Sequence, residues 1–330
     1  MRTSRMFRGP LRAAGRALAG LAAALLVAGC GLLGAEPEPT PGPQPTLRVT
    51  AMPLLDIVPL HLAINHGFFT TEGVVVDPVD TGSGQAAIAK LTSGEVHVAY
   101  AGDVAIVNAV AAGITLRIIA EAAAAGERSM MIMVRGDNTV PAVPALAGKK
   151  IAHNGEGGVS DLLTRSLLAD HKVDVSTIQW TTLQFPEMAA ALNSRTIDAA
   201  LLPEPLASRA AMQGLKPLVD PATGGALGIP TGSYVVEEDW AKKNPFAVGA
   251  FQRAMQKASI EATSNRGLVE QVAVEKMDIA ADVAAIANFP TFRSKPSLPE
   301  LRRVPTLINT YSTRKVNVDM DALVLPFPGS

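Results

Sequence analysis

The 330-residue sequence predicts an α/β fold of two similar lobes joined by two crossovers, and three observations carry that prediction. Short strand-like runs alternate with longer helix-like ones. The same order of elements then recurs at an offset of 101 residues, from Leu91 to Leu192. The last third turns helical and holds too few strands for a sheet of its own, so it must pack back on the first lobe.

The first 46 residues stand outside that pattern. All five charges in residues 1–29 are arginines, and the apolar run Ala17 to Ala28 follows them. A basic segment, a short apolar core and small residues make a secretory signal peptide. The run is too short to span a bilayer, which takes about 20 helical residues. Val27-Ala28-Gly29-Cys30 is similar to a bacterial lipobox, and Cys30 is the single cysteine of the chain. Cys30 is therefore the expected lipidation site. Five prolines in Glu36–Thr46 then make an extended spacer. Residues 1–29 read as signal peptide and 30–46 as lipidated cysteine and tether.

The body begins with a strand at Leu47–Met52 and a helix at Pro59–Phe68. A strand at Val74–Val79, an Ala-rich helix at Gln85–Ser93 and a strand at Val96–Ala101 follow. A helix at Val104–Ala112 and a strand at Leu116–Ala120 end the first series, and Met130, Met131 and Met133 lie on a strand near the expected hinge. The second series runs Lys150–His153 (strand), Ser160–Ala169 (helix), Ile178–Leu183 (strand), Glu187–Asn193 (helix), Ile197–Leu202 (strand), Pro205–Gln213 (helix) and Leu215–Val219 (strand). Such alternation implies βαβ units and a largely parallel sheet.

Between the two series, Leu91/Leu192, Ser93/Ser194, Ala99/Ala200, Ala109/Ala210 and Gly113/Gly214 are identical, and Asp103 matches Glu204. After a strand at Gly232–Glu237, Asn244-Pro245 caps a helix at Phe246–Thr263, and Ser297-x-x-Glu300 reads as a capping box for a helix through Tyr311. Lobe I is assigned to residues 47–137 and 229–330 and lobe II to 138–228. The crossovers are expected near Arg135–Pro144 and Ala226–Gly232, with a hinge there and a cleft between the lobes.

Composition narrows the function. With 48% hydrophobic and 18% charged residues the chain has a folded core, and it is neither disordered nor collagen-like. Its net charge is −1, and setting aside the five N-terminal arginines leaves −6, which argues against binding nucleic acid or an anionic membrane surface. One cysteine excludes a disulfide framework and a multi-cysteine zinc site. The five histidines show no metal-ligand spacing, and no G-x-S-x-G elbow, P-loop or metalloprotease motif is present. No enzyme activity, metal or cofactor is expected.

Four segments carry a family resemblance: VPLHLAINHGFFTTEGVVVDPV from Val58, TGSGQAAIAKLTSGEVHVAYAGD from Thr81, PEPLASRAAMQG from Pro203, and NVDMDALV near the end. Residues 47–330 resemble a type II periplasmic binding protein, the solute-binding component of a bacterial ABC importer, in the branch of sulfonate, nitrate and thiamine-pyrimidine-precursor binders. The resemblance implies a two-lobed fold with two interlobe crossovers and a small ligand in the cleft. It also implies permease and ATPase partners. Membrane contact is expected through the lipid alone, on the extracytoplasmic face, and the chain is expected to be a monomer.

Several residues are candidates for the ligand site. Gly82-Ser83-Gly84-Gln85 follows a strand and opens a helix, so Ser83 and Gly84 could present backbone N–H groups to a ligand, and the glycine loop before Ser160 does the same. The G-x-G-x-x-A spacing also fits a dinucleotide loop, but it follows the second strand rather than the first. Asp103 and Glu204 sit at matched strand ends, where open α/β sheets bind ligands, or else cap the helices behind them. Asp56 lies in the first βα loop. Phe185 is the favoured aromatic for stacking a planar ligand. Three carboxylates around one cleft favour a neutral or amine-bearing ligand, aminopyrimidine-like in kind. The alternatives are an anion of sulfonate or nitrate type held by the helix starts, an exported enzyme related to thiamine-pyrimidine synthesis, and a surface lipoprotein that recognises another protein.

Overall fold

A computed structural model describes residues 44–328, so the expected signal peptide, Cys30 and most of the expected tether lie outside the described residues. The strands are β1 (Thr46–Ala51), β2 (Val75–Asp80), β3 (Ala99–Ala101), β4 (Leu116–Ala124), β5 (Met130–Val134), β6 (Lys150–His153), β7 (Gln179–Thr182), β8 (Ala199–Pro203), β9 (Lys216–Val219), β10 (Pro230–Glu237) and β11 (Thr291–Phe292). Helices fill the intervals at the predicted places, because apolar periodicity is a local property. The expected helix at Pro59–Phe68 is split into Val58–Asn65 and Phe68–Thr71 by Gly67, whose φ of 66° interrupts it.

Two layers of strands result. One four-stranded sheet has the order β11-β4-β10-β3, and parallel β1 and β2 join it through the Val49–Val98 bridge. The other sheet has the order β7-β6-β8-β5-β9. The expectation of largely parallel sheets is corrected. β6 runs parallel to β7 and β8, but β5 is antiparallel to both its neighbours, and β10 is antiparallel to β3 and β4. β5 and β10 enter their sheets directly from the other sheet, with no crossover helix to reverse the chain, and so run against their neighbours.

The strand β5 also moves the first crossover. Met130–Val134 pairs with β8 and β9 of the second sheet, so the chain changes sheets over residues 125–129 rather than at Arg135–Pro144. Gly126 marks the passage: a Cβ there would stand 2.4 Å from the Phe289 carbonyl oxygen. The second passage covers residues 220–229 and overlaps the expected one. Ala125 N donates to Ile229 O at 2.8 Å, so the two passages run side by side.

The C-terminal region packs on the first sheet. Helix Pro245–Ser264 lies on Val58–Asn65, Phe251 stacks against Phe69 and Tyr234, and Leu325 N donates to Ile118 O. Two expected caps are corrected in their side-chain bonds. Asn244 stands at the N-cap of Pro245–Ser264 as expected, but its side chain makes no cap bond, its Nδ2 donating back to Trp240 O at 2.8 Å. Ser297 makes no side-chain cap, Glu300 pairs instead with Arg293, and the region forms two helices, Leu298–Leu301 and Arg303–Tyr311.

Candidate functional site

A cavity of about 60 Å³ lies between the sheets. Its first-sheet wall includes Leu54 and Asp56 after β1, Gly84 and Gln85 at a helix start, Tyr100 on β3 and Thr231 on β10. Its second-sheet wall includes Met130, Asn154, Gly158, Ser160, Phe185 and Pro203. A second, larger cavity of about 580 Å³ adjoins it and shares Met52, Leu54 and Phe185 with its lining.

Asp56 is the charged side chain of the inner cavity. It sits in the one-turn segment Leu55–Ile57 just beyond the carboxyl end of β1. Thr231 Oγ1 donates to Asp56 Oδ2 at 2.7 Å and Tyr100 Oη donates to the same oxygen at 3.2 Å. Burial pushes the Asp56 carboxyl above its usual range, and those two hydrogen bonds oppose the shift. The Tyr100 phenol is pushed far up by burial and then by the neighbouring Asp56 charge, so it stays a donor. Gly232 makes room for that ring, since a Cβ there would come within 2.6 Å of Tyr100 Oη.

Asp103 and Glu204 do not line either cavity. Asp103 is 1% exposed, and its Oδ1 accepts from Ser233 Oγ at 2.7 Å. Its Oδ2 is buried without a hydrogen-bond partner. Burial raises its pKa to about 7, the Ser233 bond opposing and the Asp56 charge adding. Glu204 is held just ahead of the helix Leu206–Met212: its carboxylate accepts from Ser208 N and Ser208 Oγ in the first turn, and also from the backbone and side chain of Asn288. The expectation that both carboxylates face the cleft is thus corrected. Ser83 is likewise turned away, its Oγ accepting from Ala86 N as the N-cap of Gly84–Thr92. Asp56, Gly84, Ser160 and Phe185 are brought together around the inner cavity.

Asn154 was not among the sequence candidates. It follows β6 and precedes the Gly155 loop, a strand-end position that could have marked it. Its Nδ2 donates across the gap to Gly82 O at 3.2 Å, and on its own side of the gap it lies 3.4 Å from Gln184 Oε1. Two further bonds cross nearby: Gln85 Nε2 to Glu156 O at 3.3 Å and Asn108 Nδ2 to Gly157 O at 2.8 Å. Ser160 Oγ accepts from Asn154 N at 3.0 Å and so fixes that loop. His153 faces away: its Nδ1 accepts from Gly155 N at 3.1 Å. Among the described residues no arginine or lysine lines the inner cavity.

The family model described as "NMT1-like family" matches residues 40–274. The chain belongs to the NMT1-like family. It is 26% identical over 231 residues to YtlA of Bacillus subtilis (strain 168), named as a candidate binding protein, covering 68% of this chain and 69% of YtlA. Among solved structures, the ligand-binding component of an ABC-type import system from Staphylococcus aureus, with zinc bound, superposes with a TM-score of 0.75 at 14% identity over 86% of this chain and 97% of its own. The alkanesulfonate-binding protein SsuA from Xanthomonas axonopodis pv. citri, bound to MOPS, gives 0.72 at 19% identity over 85% and 98%. A Candida albicans gene product described as having the generic periplasmic binding protein fold gives 0.70 at 15% identity, over 86% and 97%. This NMT1-like chain has the periplasmic binding protein fold.

Proposed function

We propose that this chain is the solute-binding lipoprotein of an ABC importer. In this reading Cys30 is lipidated and holds the protein on the extracytoplasmic face. A monomer captures a small organic ligand and delivers it to a permease. The sheet β1–β4 with β10 and β11 and the C-terminal helices forms one lobe, and β5–β9 forms the other. They close as rigid bodies about residues 125–129 and 220–229, the paired segments where the chain changes sheets. The fold, and the import and binding roles of the proteins it resembles, support transport rather than catalysis.

The ligand is neutral or amine-bearing, and one observation carries this. Asp56 is the charged side chain lining the inner cavity, and no described cation lines it to neutralise an anion. At about 4 Å and an effective dielectric of 20, a ligand ammonium would gain roughly 4 kcal/mol against Asp56, and an anion would lose as much. A second reading rests on a separate observation: the helix starts at Gly84 and Val159 both line the cavity, as an anion site would use them.

Calorimetry decides between them. A primary amine is expected to bind wild type with micromolar affinity or better, about −8 kcal/mol, and to lose most of it in Asp56→Asn. Tighter binding of an alkanesulfonate by wild type than of any amine would establish the anion reading.

A further inference from the structure

We infer that the ligand has two parts: a compact amine-bearing head that fills the inner cavity and an apolar portion that occupies the larger cavity beside it. The inference deepens the amine reading above and rests on it for the head group alone.

The two volumes differ about tenfold in capacity. The inner cavity, about 60 Å³, has room for roughly five non-hydrogen atoms at the ~13 Å³ that one water-sized atom occupies. That is too little for most organic ligands, but enough for an amine with its neighbouring carbons. The outer cavity is about 580 Å³, the size of an ordinary small-molecule site. Its body is apolar, made by Met52, Leu54, Ile57, Phe185, Leu206 and Met277. His61, Asp80, Lys276 and Asp278 also line it.

The wall between them is thin. Met52, Leu54 and Phe185 line both cavities, so one layer of side chains separates the two spaces. Met52 has an unbranched side chain that adapts readily to a new neighbour. The polar part of the partition is the bond from Asn154 Nδ2 to Gly82 O, with Asn154 lining the inner space and Gly82 the outer. A ligand crossing the wall would place its polar end near Asp56 and its apolar end against Phe185 and Leu206. Binding strength would then rise with the apolar portion, because burying each added carbon removes it from water.

The test is calorimetry on the mature chain with matched pairs of probes: ethylamine and 2-phenylethylamine, ethanesulfonate and 2-phenylethanesulfonate, ethanol and 2-phenylethanol. The phenyl member is expected to bind at least tenfold tighter among the amines. Leu206→Trp and Met277→Trp, which fill the outer cavity from two sides, should each cut that ratio below threefold while thermal melts show a folded protein. A ratio that appears with the sulfonates or alcohols instead, and falls in either tryptophan variant, would uphold the apolar compartment and overturn the amine head. Absence of a phenyl gain in all three pairs overturns the inference, as does a gain that both tryptophan variants leave intact.

Discussion

Thr231 Oγ1 donates a 2.7 Å hydrogen bond to Asp56 Oδ2, joining two residues 175 positions apart in the chain. Thr231 stands on β10 just after the second passage between the sheets, and Asp56 follows the first strand. The carboxylate that faces the cavity is thus held from the strand that follows the second passage between the sheets. The same hydroxyl lies 3.1 Å from Ala123 O, so its single hydrogen is shared between two acceptors, with Asp56 the nearer.

Thr231→Val tests that tether. It keeps the shape and removes the donor, leaving Tyr100 as the side-chain donor to Asp56. Loss of a hydrogen bond to a charged group costs about 1.5–3 kcal/mol. Amine affinity is expected to fall by about tenfold or more, read by calorimetry, and the Asp56 carboxyl to titrate higher, read by carbon-13 NMR.

Asp103 makes stability fall as pH rises. Its carboxyl is held at about 7 against an ordinary 3.8, and Glu121 at about 8 against 4.5, burial being the first cause for both. The folded chain therefore binds more protons than the unfolded chain between pH 4 and 8. The protonated forms cost little below pH 4, and the penalty grows as pH climbs through 7 and 8. Denaturant melts should show stability declining over that window for these two groups. Asp103→Asn should flatten the decline and gain more, relative to wild type, at pH 8 than at pH 5. An unchanged slope in Asp103→Asn would contradict the assignment.

Gly232→Ala should fail locally. The added Cβ would lie 2.6 Å from Tyr100 Oη and 2.7 Å from a ring carbon of a fully buried side chain. Overpacking of this kind costs about 1–3 kcal/mol. Both the melting temperature and amine affinity should drop, since the displaced ring carries a donor to Asp56. A double variant with Tyr100→Leu, which removes the ring as well as the hydroxyl, should recover less affinity than stability.

Asn154→Ala removes the bond to Gly82 O, one of those that span the sheets at the cavity edge, and with it the bond to Gln184 on its own side. Scattering of the unliganded protein should show a larger radius of gyration than wild type. Amine affinity should fall about fivefold to tenfold, at about 1 kcal/mol for a lost hydrogen bond.

Cys30→Ala should abolish incorporation of labelled fatty acid and leave an unprocessed precursor in a bacterial host. Normal labelling of that variant would refute lipid attachment at Cys30.

The positions of strands and helices were legible in the sequence because each depends on apolar spacing over a few residues. β6 was predicted at its observed limits, Lys150–His153. The family and the α/β class follow from local patterns in the same way. Strand direction was not legible. β5 and β10 look like any other apolar run, and only pairing with partners far along the chain sets them antiparallel.

The candidate site divides along the same line. Sequence placed Asp56, Gly84, Ser160 and Phe185 at strand ends and helix starts, and the fold brings them to one cavity. It placed Asp103 and Glu204 just as well, yet neither reaches that cavity. Ser208, four residues on, engages Glu204, and Ser233, 130 residues away, engages Asp103. A carboxylate turns toward whichever donors the packed structure supplies, because a buried charge left without them is costly. Sequence by itself put these residues at strand ends and helix starts, because that depends on local spacing; the tertiary structure decided which of them line the cavity, because that depends on donors far along the chain.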